Sequence, residues 1–206
     1  MSQFFQIHPD NPQARLINRS VEILREGGVI AYPTDSSYAL GCHIGDKSSM
    51  ARIARIRQIS NRHNFTLVCR DLSEISTYAK VGNQEYRLMK SLTPGPFTFI
   101  LKASREVPRR LQNPKRKTIG LRVPENPIAH AMLEEHGEPI MSSTLILPDH
   151  EFPMTDAEEI REQLEHLVDL VIDGGHCVNE PTTVIDLSND SPMVTRQGRG
   201  VCEPFN

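Results

Sequence analysis

With 206 residues, 38% of them hydrophobic, the chain is long enough for one substantial core and short for two. Its four cysteines, Cys42, Cys69, Cys177 and Cys202, form no C-x-x-C pair, which argues against a zinc ribbon or a redox dithiol. A formal net charge of -3 conceals an asymmetry, because Ala51 to Arg122 holds 16 Lys and Arg against 4 Asp and Glu while the remainder holds 7 against 22.

In chain order, a short strand precedes a helix with a polar entry at Asp10-Asn11, Pro12 in its first turn, apolar Leu16, Ile17, Val21 and Leu24, and an exit at Gly27. An apolar strand, Val29 to Tyr32, runs into the turn Pro33-Thr34-Asp35-Ser36. Asp46 caps a helix reaching Gln58, with Met50, Ile53, Ala54 and Arg57 on one side, so "RIRQISNRHN" (55–64) is its last turn and exit loop. Further strands are expected at 65–69, 97–101, 118–123, 139–143, 168–173 and 182–186, with helices near 72–79, 83–91, 127–136 and 156–167. Thr155 and Glu158 are spaced as a capping box for the last of these helices. Strands alternating with helices indicate an α/β layer architecture.

The basic middle third suits either scattered, solvated charges or a face that attracts nucleotides or RNA. Neither G-x-x-x-x-G-K-[ST] nor a strand-linked G-x-G-x-x-G is present, so a nucleotide would have to be held another way. There is no G-x-S-x-G and no H-x-x-x-H pair, and the adjacent His176 and Cys177 do not by themselves make a metal site, so no metal ligands are assigned. A strand that ends in Thr34, Asp35 and Ser36 presents hydroxyls and a carboxylate where open α/β sheets hold ligands, but the same residue types also close turns. Thr118 and Arg122 share one strand face, and a buried Arg122 needs either a carboxylate or a ligand phosphate. No basic-then-apolar leader and no run of about eighteen apolar residues occurs, so a cytoplasmic protein without membrane association is expected.

Taken in order, "GGVIAYPTDSSYALG", "TPGPFTFILK", "TIGLRVPENPIA", "DLVIDGG", "PTTVIDLS" and the tail "SPMVTRQGRG" resemble the threonylcarbamoyl-AMP synthase, or YrdC and YciO, family, and most of all its YciO branch. The pattern runs from about residue 11 to 200, which implies a single YrdC-like domain over residues 1–206: a twisted mixed sheet flanked by helices around a large concave basic cavity. The resemblance also implies the reaction of L-threonine, bicarbonate and ATP to threonylcarbamoyl-AMP and pyrophosphate, toward threonylcarbamoyladenosine in tRNA. ATP would be a substrate carrying Mg2+, with no tightly bound cofactor. Monomer and homodimer both remain open.

Carried over by position, Thr34 and Ser36 match pocket hydroxyls, Thr98 and Thr118 lie in the matching strands, and Arg122 matches the arginine that holds the substrate carboxylate. Ser142 and Thr144 lie on the strand after Pro139, and Thr183 and Arg196 would lie near the nucleotide. Three positions depart: the family's Lys-x-Arg falls on Arg57-x-Ile59, its histidine on Val68, and the amide of its Ser-x-Asn on Ile146. Arg57 and Arg55 are then the candidate phosphate-handling residues, with Arg62 and His63 as compensating cations. The absence of two or three charge-assisted hydrogen bonds predicts slower turnover. The alternative is a tRNA- or double-stranded-RNA-binding protein without synthase activity. Having no tryptophan, it would read phosphates or shape rather than stack on bases.

Overall fold

A computed structural model of the chain describes residues 1–59, 65–189 and 191–202. The candidates Arg62 and His63 lie outside the described residues. Among those described, ten strands form one mixed sheet. They are β1 (Gln3–Gln6), β2 (Ile30–Tyr32), β3 (Ala39–His43), β4 (Thr66–Val68), β5 (Phe97–Lys102), β6 (Thr118–Arg122), β7 (Ile140–Thr144), β8 (Leu170–Asp173), β9 (Thr183–Asp186) and β10 (Met193–Arg196). Their spatial order is β1-β8-β2-β3-β7-β4-β6-β5-β9-β10. Pairing is parallel at β1–β8, β2–β8, β4–β6 and β5–β9, and antiparallel at the other junctions. Among the described residues six α-helices flank the sheet: α1 (Ala14–Arg25), α2 (Lys47–Ile56), α3 (Leu72–Tyr78), α4 (Asn83–Leu92), α5 (Pro127–His136) and α6 (Ala157–Leu164).

Helix ends follow local chemistry. Asp46 accepts hydrogen bonds from the Ser48 and Ser49 amides, as a cap should, but α2 closes at Ile56 with Arg57 as its C-terminal cap, two residues short of the expected end. Asn126 caps α5 through the Ala129 amide, and Gly137, at φ 77°, turns the chain out of it. Two expected caps moved. The Asp10 and Asn11 amides donate to His8 Nδ1 instead, and α1 begins after Gln13. Asp156 rather than Thr155 caps α6, accepting from the Glu159 amide.

Strand β3 has no counterpart among the sequence expectations. It is buried on both faces, so it carries no apolar–polar alternation, and Gly41 at its centre reads as a turn residue. The glycine is there for space: a Cβ would lie 2.8 Å from Tyr32 Cε1 and 2.9 Å from Ile140 Cγ2. Both neighbours belong to the core.

The two sheet faces differ. One is apolar along its length, with Leu40, Leu67, Phe97, Phe99, Leu121, Met141 and Ile185 packed with Ile53 of α2, Ile75 of α3 and Ile160 of α6. The opposite face is apolar only where α1 and α5 cover it, through Ile17, Val21, Leu24, Ile128, Met132 and Leu133 against Ile30, Tyr32, Val68, Ile140, Leu170 and Ile172. Beyond α5, strands β4, β6, β5 and β9 present threonines and arginines on this face instead. Gly41→Ala should lower unfolding free energy by about 1–3 kcal/mol in a urea titration, because the methyl group overpacks a rigid strand contact; an unchanged midpoint would show that Tyr32 can yield.

Candidate functional site

The uncovered part of the sheet is the floor of a cavity of about 310 Å³. Its geometry follows from a period of two. In β5, Phe97, Phe99 and Leu101 go to the core, which turns Thr98 and Ile100 to the cavity. In β6, Ile119 and Leu121 are core, and Thr118, Gly120 and Arg122 face the cavity. Thr66 of β4, Ser142 and Thr144 of β7, and Thr182 and Val184 beside and in β9 extend the same surface. Four arginines reach it from four directions: Arg57 after α2, Arg116 before β6, Arg122 in β6 and Arg196 in β10. Among the described residues, no acid, histidine, cysteine or lysine lines the cavity. The arrangement can bind and neutralise anions and hydrogen-bond to hydroxyls or amides. Its described residues offer no side chain for proton transfer near neutral pH.

Each guanidinium is held in place. Arg122, with its side chain 9% exposed, pairs with the equally buried carboxylate of Asp35 and donates through Nη1 to Ser36 Oγ at 3.3 Å. Its Nε–H is buried and has no acceptor among the described residues. Arg116 donates to the Asp186 carboxylate and to the Ser188 hydroxyl. Burial raises the Asp186 carboxyl, but the Ser188 hydroxyl and amide and the Arg116 guanidinium outweigh it, and the group titrates below its ordinary value. Arg57 donates from Nε to the Ile146 carbonyl at 3.3 Å and from Nη1 to Ser143 Oγ. Arg196 donates to the Thr182 carbonyl at 2.8 and 3.2 Å and to Thr182 Oγ1 at 3.2 Å. Burial pulls both Arg57 and Arg196 below the usual guanidinium value. They remain cations at any ordinary pH.

Of the residues assigned from sequence, Thr34, Arg57, Thr98, Thr118, Arg122, Ser142, Thr144 and Arg196 come together around this cavity. Thr34 also closes its turn, since Oγ1 donates to the Ser37 carbonyl at 2.7 Å and accepts from the Ser36 and Ser37 amides. The turn reading of "PTDSS" is met, and Thr34 and Ser37 of the same turn line the cavity. Ser36 stands behind the lining, on Arg122 and Thr34.

Arg55 is set apart. It is exposed and borders a separate surface depression with Gln58, Leu147, Asp149 and His150, because two residues of helix turn it about 200° away from Arg57's direction. Thr183 is also turned away: its Oγ1 donates to the Gly200 carbonyl at 2.6 Å and accepts from the Gly198 amide, while its neighbour Thr182 faces the cavity and meets Thr98 Oγ1 at 2.8 Å. The assignment there slipped by one residue, which in an extended chain exchanges faces.

Sequence reasoning also passed over Arg116, Asn113, Thr66 and Ser143. Thr66 and Ser143 carry a usable signal, as hydroxyls inside apolar strand patterns. Arg116 carries none, because in "KRKT" it is one cation among three. Ile59 packs against the core, Val68 lies in the core under α5, and Ile146 lines the cavity. The buried pair of Asp35 and Arg122 should be costly to break. Asp35→Asn should destabilise the protein by about 3 kcal/mol or more, since it leaves a buried guanidinium uncompensated, and a thermal melt should fall by roughly 6–12 °C.

Comparison with known proteins identifies the fold and the family. A family model for Sua5, YciO and YrdC proteins, described as "Telomere recombination", matches residues 22–198. The YciO protein of Escherichia coli K12 is 63% identical over 205 residues, spanning all of both chains. Its crystal structure superposes with a TM-score of 0.96, again over both full chains. The threonylcarbamoyl-AMP synthase of Coxiella burnetii strain RSA 493 is 29% identical over 159 residues, which is 77% of this chain and 84% of the relative. The structure of P. abyssi Sua5 complexed with L-threonine is 25% identical with a TM-score of 0.88, over 96% of this chain and 58% of Sua5. A full-length match in sequence, a fold that superposes over the whole chain and a family model spanning most of it leave one conclusion: the protein is a member of the Sua5/YciO/YrdC family.

Proposed function

We propose that the cavity binds ATP and L-threonine and that the protein forms threonylcarbamoyl-AMP and pyrophosphate from threonine, bicarbonate and ATP, at a turnover below that of its synthase relatives. The observation that carries this reading is the lining: four guanidiniums and a floor of threonine and serine hydroxyls, with no carboxylate among the described residues to repel a triphosphate. A relative of the same fold is complexed with L-threonine.

The chemistry suits such a lining. Threonine's amine and bicarbonate condense to a carbamate with loss of water, and the carbamate oxygen attacks the α-phosphorus as pyrophosphate leaves. All the reactants are anionic or polar, so catalysis rests on holding them together and offsetting charge. Arg57, Arg116 and Arg196 supply that charge on separate elements, and Arg122, which also lines the cavity, suits the threonine carboxylate. Magnesium would come with the ATP phosphates and its waters, as the described lining has no carboxylate to give it.

Reduced turnover is inferred from Ile59, Val68 and Ile146. None of these side chains can donate a hydrogen bond to a phosphate. Each missing charge-assisted hydrogen bond costs about 1.5–3 kcal/mol of stabilisation, so two or three of them slow the reaction by several orders of magnitude.

Incubating the purified protein with threonine, bicarbonate, Mg2+ and ATP, and measuring pyrophosphate and the adenylate, tests the proposal directly. Slow formation of both is expected. Absence of product together with no ATP binding at millimolar concentration would refute it. In a calorimetric titration, Arg57→Ala should weaken ATP binding about tenfold or more; unchanged affinity removes Arg57 from the site.

A second reading has an observation of its own. Arg109, Arg110, Lys115 and Lys117 are exposed on the segment that carries Leu111, Asn113 and Arg116 to the cavity, which makes a cationic rim fit for an RNA backbone. It expects tRNA or duplex RNA to bind with an affinity that falls steeply with salt, without adenylate formation. Absent or salt-insensitive binding counts against it.

A further inference from the structure

At the far end of the β3–β7 strand pair, three side chains that are distant in the sequence converge. His43 is the last residue of β3, His136 the last of α5, and Glu138 follows the left-handed Gly137 that turns the chain from α5 toward β7. Each offers one ligand atom, and the three atoms lie within 4.8 Å of one another. His43 Nε2 is 3.1 Å from Glu138 Oε2, and the His43 and His136 rings meet edge to face with centroids 5.4 Å apart.

The buried member gives the cluster its meaning. His136 is 6% exposed, and neither of its ring nitrogens has a hydrogen-bond partner among the described residues. An imidazole that folds into the interior without partners loses its hydrogen bonds to water and gains none in return, so its environment calls for a species that takes its lone pair.

We propose that His43, His136 and Glu138 bind a first-row divalent transition metal, with zinc the best fit and water as the fourth ligand. Two imidazoles and one carboxylate are a ligand set that suits zinc, with bonds of about 2.0–2.2 Å. Tetrahedral ligands at that range sit roughly 3.3–3.5 Å apart, so the 3.1 Å pair is already near one edge of the tetrahedron. His43 and Glu138 are partly exposed, with side chains 35% and 50% accessible, which leaves room for a small rotation, an entry path and the water. A cation also faces the cluster: Arg25 donates to the Glu135 and His136 carbonyls, anchored on the backbone rather than on the ligand atoms.

This site is separate from the cavity. Ala39 and Thr144 face the cavity at one end of the strand pair, and His43 pairs with Ile140 at the other, four residues or roughly 13 Å along. The metal would clamp the ends of β3 and α5 and the turn into β7, and would touch neither threonine nor nucleotide. The proposal therefore stands apart from the synthase reading.

The test is titration of the metal-free full-length protein with Zn2+ against a chromophoric chelator, alongside Co2+ as a spectroscopic probe of coordination. One equivalent should bind, with d–d bands of a four-coordinate nitrogen–oxygen site, and Zn2+ should raise the melting temperature. Glu138→Gln and His43→Asn, both at partly exposed positions, should each weaken binding about tenfold or more and reduce the thermal shift. His136→Gln alters a buried position and is not needed for the test. No stoichiometric binding at about 100 µM, or binding undiminished in both variants, overturns the proposal; the latter result assigns the ion elsewhere, as to the half-buried thiols Cys177 and Cys202.

Discussion

A guanidinium on β6 that is only 9% exposed must have negative charge beside it, and here the charge is the Asp35 carboxylate. The consequences spread along the chain. The second oxygen of Asp35 accepts the Glu125 amide at the approach to α5, and the Asp35 carbonyl accepts from Arg199 in the closing segment. One residue thus joins the β2–β3 turn to the end of β6, to the entry of α5 and to the tail. With the turn held there, Thr34 and Ser37 are presented to the cavity and Ser36 backs Arg122. The ion pair fixes one wall of the cavity, and it leaves the Arg122 Nε–H buried without an acceptor among the described residues.

The cavity itself follows from how far the apolar patches extend. A helix stays on a sheet only where both offer apolar surface, and α1 and α5 stop where β4, β6, β5 and β9 begin to show Thr66, Thr98, Thr118 and Thr182. Tyr32 marks the border. Its ring is fully buried among the α1 and α5 contacts, and its hydroxyl lies 2.9 Å from Ser142 Oγ, which lines the cavity. Burial first of all pushes the Tyr32 phenol up to about 12, so it remains a neutral hydrogen-bonding group that closes the core against the polar side. The opposite sheet face is largely apolar and gives the layer the support it needs to carry a polar surface.

Much of this was readable in advance because strand alternation is a local signal. Phe97-Thr98-Phe99 and Thr118-Ile119-Gly120-Leu121-Arg122 state their own facing, and the demand for a partner at Arg122 needs only the knowledge that a strand interior is dry. Where alternation fails, so does the reading. Thr182-Thr183 repeats one residue type across both faces, so nothing local says which of the two hydroxyls meets Thr98 and which pins Gly198 and Gly200. β3, buried on both faces with a glycine at its centre, looks like a continued loop. His43, His136 and Glu138 are invisible for another reason: they are 93 and 2 residues apart in sequence, and only the pairing of β3 with β7 brings them together.

The separation of Arg55 from Arg57 shows how tightly the helix constrains the cationic side of the site. Between them stands Ile56, buried against the core, so residues 55 and 57 must flank an inward-facing position on a turn of about 3.6 residues. Only one can reach across to the Ser143 hydroxyl and the Ile146 carbonyl. Two positions further on, Ile59 packs against the apolar cluster, an environment that would penalise a charge there. Among the described residues the second cation comes from a different element: Arg116, on the segment before β6, tied to Asp186 and Ser188. Its anchor differs in kind from that of Arg196, whose acceptors are neutral. A phosphate placed here would compete with a carboxylate for Arg116 but with an amide carbonyl and a hydroxyl for Arg196. The positive charge on this side of the cavity is thus graded, with a less contested guanidinium at β10 than at the approach to β6.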